Sequence, residues 1–246
     1  MRKSYIVSAK RTAIGSFLGG LATVKPKDMG SAVVKALLED ANVAPENVDE
    51  VICGNVLGAG LGQNIGRTIA LEAGIPETVC AHSVNMVCGS GLRTVMEAVM
   101  SIQCGFNDIV VAGGVESMSG APYLIPANTR TGNKMGNFTV VDHMIYDALT
   151  DARANIHMGV TAENIAKKYN ITREEQDAFG YASQQKAIAA VDSGRFKDEI
   201  VPITVHLKKQ DVIFDTDEHP NRKSTPEKMA KLRPAFVKDG TVTAGN

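Results

Sequence analysis

The run Cys88-Gly89-Ser90-Gly91 sets a thiol where a loop gives way to a helix. Upstream, residues 81–87 mix polar and apolar types without helical period. Downstream, Leu92, Val95, Met96, Val99, Met100 and Ile102 recur at spacings of three and four, which predicts a helix from about Ser90. A thiol at that point meets unpaired backbone N–H groups and the positive end of the helix dipole, both of which favour thiolate over thiol. The glycines that follow allow a ligand to approach the backbone closely. Cys88 is therefore a candidate nucleophile, and the Cys88 N–H a candidate donor to an oxyanion. The alternative is a small buried hydrophobe, the usual state of a free cysteine.

Residues 1–118 read as alternating strands and helices. Tyr5–Ala9 is a short β-type run, and Asp28 is placed to cap a helix to about Ala41 with Ala32, Val33, Ala36 and Leu37 on one face. Val48–Cys53 reads as a buried strand, and a helix is expected within Leu57–Leu71. Asp108–Gly114 reads as a strand that closes the alternation. This order predicts a mostly parallel sheet covered by helices. The helix after Cys88 is apolar nearly all round, which predicts burial between layers.

From Ser119 the character changes. Loop-like residues 120–136 precede a helix expected at Ala162–Tyr169 after Thr161. Thr172-Arg173-Glu174-Glu175 is a capping box for a helix ending at Gly194, and Thr225-Pro226-Glu227 opens a shorter one. Glu199–His206 and Val212–Phe214 are strand candidates, and residues 240–246 return to β-like sequence and then stop.

Composition narrows the function classes. Across 246 residues, 44% hydrophobic and 22% charged, a net charge of −1 offers no field for nucleic acid or an acidic membrane. No stretch approaches the roughly 18 apolar residues of a membrane span. Four cysteines with no C-x-x-C pair argue against a zinc site or a disulfide scaffold. The expectation is a soluble protein of a reducing, cytoplasmic compartment that uses no metal. Gly58-Ala59-Gly60-Leu61-Gly62 lacks the spacing of a dinucleotide fingerprint. Of the five histidines, His157, beside Met158, stands out as a polar group just before a capped helix. Arg222, Lys223, Lys228, Lys231 and Arg233 form a basic patch near Phe236, either a solvated face or a seat for an anionic, adenine-bearing ligand.

Four runs carry a resemblance. Residues 85–92 (NMVCGSGL), 112–119 (AGGVESMS), 157–164 (HMGVTAEN) and 231–236 (KLRPAF), followed by 240–246, resemble the thiolase family in order and spacing. Val87 before the cysteine and Gly89 after it resemble its biosynthetic, acetoacetyl-CoA-forming branch. The resemblance implies an α/β fold: a layered α-β-α core of two similar halves, with an α+β loop domain inserted in the first. Here that maps to a core half at residues 1–118 plus 241–246 and an inserted coenzyme A-binding domain at 119–240. It implies that Cys88 is acetylated and that Leu149, His157, Met158, Phe236 and Ala244 line the coenzyme A path. The family's nucleotide-contacting arginine aligns with Asn221, with Arg222 one residue later, so Arg222 is the candidate for that contact. Acetyl-CoA, acetoacetyl-CoA and CoA would be substrates and products, with no separate cofactor, and the chain would form a homo-oligomer, dimer or tetramer. The family's second-half motifs, Asn-Glu-Ala-Phe, Gly-His-Pro and Cys-x-Gly, do not occur. The chain is thus expected to be cut short and nearly inactive alone. The alternatives are a non-catalytic CoA-binding subunit that pairs with another chain, or a ketoacyl-synthase-like condensing enzyme.

Overall fold

Three parallel strands carry the site. A computed structural model describes residues 2–246. In it β2 (Glu50–Gly54) lies between β3 (Cys80–Val84) and β4 (Val110–Gly114), with Ile52 opposite His82 on one side and Ala112 on the other. Side chains alternate across a strand, so successive residues serve different layers. Val51 and Cys53 of β2 and Val111 of β4 join a core with Val34 and Leu38 of α1 (Pro26–Ala41) and with Ile65, Ile69 and Ala70 of α2 (Ile65–Glu72). Gly54 instead meets the start of α3 (Ser90–Cys104), which packs on β2 and β4. The expected α-β-α layering and parallel sheet are both present.

Local signals account for the helix ends, with two corrections. Asn64 accepts a hydrogen bond from the Arg67 N–H and caps α2. Helix α1 begins two residues before Asp28, at Pro26, whose fixed φ suits a first turn. Its buried residues include Met29, Ser31, Val34 and Leu38 rather than the face expected from Ala32 and Val33. Helix α3 is not buried all round. Only Ser90, Thr94 and Ala98 are buried, while Leu92, Met96 and Met100 form an exposed stripe on successive turns.

The N-terminal expectation is also corrected. Residues 5–9 form no strand, and Tyr5, Ile6 and Val7 are exposed, since no strand pairs with them among the described residues. Only β1 (Arg11–Thr12) pairs, in parallel with β7 (Ile200–Val201). Two antiparallel pairs follow: β5 (Tyr123–Leu124) with β6 (Val141–Asp142), and β8 (Ile203–His206) with β9 (Asp211–Phe214).

The chain divides into two compact units. One holds the chain up to Ala148 together with Asp198–Asp215; the other holds Leu149–Lys197 and Thr216–Asn246. The second unit is built from α4 (Met158–Tyr169), α5 (Arg173–Asp192) and α6 (Pro226–Ala230). Thr172 and Glu175 make both halves of the capping box, and Thr225 caps α6. Helix α4 starts four residues earlier than expected, since His157 rather than Thr161 is its cap. Residues 240–246 form no strand. Glu163 and Asp177 side chains hold them instead: the Thr241 and Val242 N–H groups donate to Glu163, and Asn246 Nδ2 donates to Asp177.

Candidate active site

Cys88 lies in the first unit, two residues ahead of α3 at the C-terminal end of the sheet. It is exposed, and no side chain among the described residues hydrogen-bonds its sulfur. The buried alternative is therefore excluded for Cys88. It holds for Cys53, whose thiol burial pushes up to about 11. Cys80 and Cys104 are exposed as well.

The loop that presents Cys88 is held by hydroxyls and glycines. Ser90, 4% exposed, donates from Oγ to the Val87 carbonyl at 2.6 Å and accepts from the Met86 N–H at 2.9 Å. Thr94, fully buried, donates to the carbonyls of Gly91 at 2.7 Å and Gly113 at 3.1 Å, tying the first turn of α3 to β4. Gly54 is required by close approach: a Cβ there would lie 2.8 Å from the Ser90 carbonyl carbon and 2.9 Å from the Gly91 nitrogen. Val87, immediately before the cysteine, has φ of 48°, a left-handed conformation that a β-branched residue rarely takes. Ser90, Thr94 and the Val87 strain were not singled out from sequence. Nothing in a residue string marks a positive φ at valine.

The adjoining loop is fixed by carboxylate and imidazole. Glu116 accepts from Asn55 Nδ2 and from the N–H groups of Val56 and Leu57 at 2.9–3.0 Å. His143, 5% exposed, pairs through Nδ1 with Asp147 and accepts through Nε2 from the Ala59 N–H at 3.4 Å. The glycine cluster 58–62 is thus a braced turn.

The other six candidates lie in the second unit, which brings four of them into one neighbourhood. His157 accepts the Gly159 N–H through Nδ1 at 3.0 Å, and its ring stacks on Phe236 with centroids 4.9 Å apart and planes 21° apart. Met158, half-buried, follows it as the first residue of α4. Thr150 pairs with His157 across an antiparallel bridge, which sets Leu149 one residue from that contact. The packing demands Gly159, because a Cβ there would overlap the Phe236 ring. Ala244 is exposed, in the terminal segment that Glu163 anchors. Arg222 is engaged elsewhere in this unit, donating through both terminal nitrogens to Asp192 at the end of α5. That pairing holds the Asp192 carboxyl below the usual carboxylate range. Lys228 of the basic patch donates to the Lys223 carbonyl. Among the described residues, no three His, Cys, Asp or Glu side chains converge as a metal site, and no helix is long and apolar enough to cross a membrane.

Comparison with known proteins follows the same lines. The family described as "Thiolase, N-terminal domain" matches residues 4–246. The acetyl-CoA acetyltransferase of Pseudomonas aeruginosa is 53% identical, over 100% of this chain and 63% of that protein. That of Escherichia coli is 52% identical over 100% and 62%, and that of Chromobacterium violaceum 55% over 98% and 62%. The crystal structure of the Bacillus anthracis acetyl-CoA acetyltransferase superposes with a TM-score of 0.94 at 43% identity, over 98% of this chain and 61% of that one. The chain spans about three-fifths of the length of these relatives.

Proposed function

The chain belongs to the thiolase family through its N-terminal domain, and on that premise we propose that it supplies the nucleophile and the coenzyme A-binding residues of an acetyl-CoA acetyltransferase. The observation that carries the reading is Cys88, exposed at the head of α3 on a loop braced by buried hydroxyls.

A thioester exchanges readily with a thiolate, since attacking and leaving sulfurs are of similar basicity. The Cys88 sulfur attacks the carbonyl carbon of acetyl-CoA, the C–S bond to coenzyme A breaks, and coenzyme A leaves as its thiolate. The Cys88 N–H is the donor we assign to the developing oxyanion. The methyl carbon of a second acetyl-CoA, its proton passed to the base that the family resemblance places in the second-half motifs, attacks acetyl-Cys88. That step forms a carbon–carbon bond, expels the Cys88 thiolate and gives acetoacetyl-CoA; the reverse is thiolysis.

Residues 119–240, together with Ala244, are what we assign to coenzyme A. The stacked His157 and Phe236, with Leu149, Met158 and Ala244, supply the apolar and polar surface for the pantetheine arm. Arg222 is assigned to the nucleotide end, where a phosphate must compete with Asp192. Coenzyme A thioesters are substrates, no further cofactor is invoked, and the assembly is a cytoplasmic homo-oligomer.

Exchange of labelled coenzyme A into unlabelled acetyl-CoA tests the first half-reaction. The account expects exchange that disappears in Cys88→Ala and does not occur with carrier-protein-linked acetyl donors. Exchange untouched by Cys88→Ala, or preference for the carrier-linked donor, contradicts it. The second outcome identifies a ketoacyl-synthase-like enzyme.

A further inference from the structure

We propose that Ser90 is a positioning residue for the Cys88 thiol, its hydroxyl clamping shut a turn that the intervening residues do not favour by themselves. The inference rests on the reading of Cys88 as the nucleophile. The turn places Val87 at φ 48°, where branching at Cβ crowds the backbone. Glycine is the residue that takes such a conformation freely, yet valine stands here. The Gly89 N–H closes the turn on the Met86 carbonyl at 3.1 Å, and Ser90 braces it twice over: the Val87 carbonyl accepts from the Ser90 N–H at 3.0 Å and from Ser90 Oγ at 2.6 Å. Ser90 Oγ in turn accepts the Met86 N–H at 2.9 Å, so one hydroxyl bridges both residues that precede Cys88.

The hydroxyl is itself buried and bonded on both sides. Ser90 is 4% exposed, and the absence of a side chain at Gly54 lets its backbone seat against the end of β2. Thr94 fixes the next turn to the Gly113 carbonyl of β4. Strain at Val87 is therefore opposed by a clamp anchored in the sheet, and Cys88, between the two, takes the orientation they impose. Without the hydroxyl the turn relaxes toward negative φ and the thiol swings away from the head of α3.

Peptide-resolved alkylation of the 246-residue chain by iodoacetamide tests this, with the exposed Cys80 and Cys104 as internal references. Sulfur displaces iodide, so the rate reports each thiol's reactivity and access. In the wild type Cys88 is expected to react about tenfold faster than Cys80 and Cys104. Ser90→Ala should lower the Cys88 rate about tenfold, on the scale of a left-handed penalty at one residue, and leave the references unchanged. Val87→Gly combined with Ser90→Ala should restore the Cys88 rate to within about twofold of wild type, because glycine holds positive φ unaided. If Ser90→Ala does not fold, the double variant carries the test by itself. A Cys88 rate unaffected by Ser90→Ala overturns the clamp while leaving the nucleophile standing. Failure of glycine to restore the rate assigns Ser90 to packing alone and also overturns it. A wild-type Cys88 no faster than the references removes the nucleophile and the clamp together.

Discussion

At the scale of residues, charge pairs and hydrogen bonds decide what each candidate can do. Glu163 is the clearest case. Burial works to raise its carboxyl, and donors from the Thr241 and Val242 backbones outweigh burial and hold it below the ordinary glutamate range. A depressed folded-state value stabilises the fold above the unfolded-state value, and that contribution is lost as pH falls through the folded one. Unfolding free energies of wild type and Glu163→Gln, from urea titrations, should therefore differ by roughly 1–3 kcal/mol at neutral pH and converge below about pH 4. Parallel curves would contradict the anchoring role. Arg222 makes the second case, since its guanidinium is committed to Asp192. Asp192→Asn should free it and tighten coenzyme A binding by up to about fivefold, the scale of an exposed ion pair, with no change for pantetheine. Titration calorimetry on both ligands checks this, and equal gains for both would remove Arg222 from the nucleotide site.

At the scale of elements, helix starts position both halves of the chemistry. Helix α3 begins against Gly54 and carries the braced Cys88 loop, while α4 begins with His157 serving both as cap and as partner to Phe236. Gly159 is the contact on which the second arrangement depends. Gly159→Ala should push the Phe236 ring off His157, forfeiting about 0.5–1.5 kcal/mol of aromatic contact. Coenzyme A binding should weaken with it. Binding by Gly159→Ala equal to that of wild type would show that the stack is irrelevant to binding. The α3 start, the capping box and the parallel order were legible because each depends on neighbours in sequence. Three expectations failed where the decisive group is remote. Thr161 looked like a cap, but the bridge from Thr150 places His157 there first. Residues 5–9 and 240–246 have strand composition, but a strand exists only beside another strand. The exposed Leu92, Met96 and Met100 show that an apolar helix is not necessarily a covered one.

At the scale of the whole molecule, the chain is about three-fifths as long as its relatives. Neither the Gly-His-Pro histidine nor the Cys-x-Gly cysteine that the family resemblance implies as base and acid occurs in it. A positioned general base contributes about 10²–10⁴ in rate, so the chain alone should turn over at least a hundredfold more slowly than a full-length relative. Adding a polypeptide with the sequence of the remaining two-fifths of such a relative should raise that rate. A rate for the chain alone that matches the relative would contradict this division of labour. The most direct measurement is peptide mass spectrometry after brief incubation with acetyl-CoA, with and without that second polypeptide. The account predicts one added acetyl group on the peptide that holds Cys88, absent in Cys88→Ala. An acetyl group on Cys80 or Cys104 instead, or none on Cys88 in either sample, would contradict the assignment of Cys88 as the nucleophile.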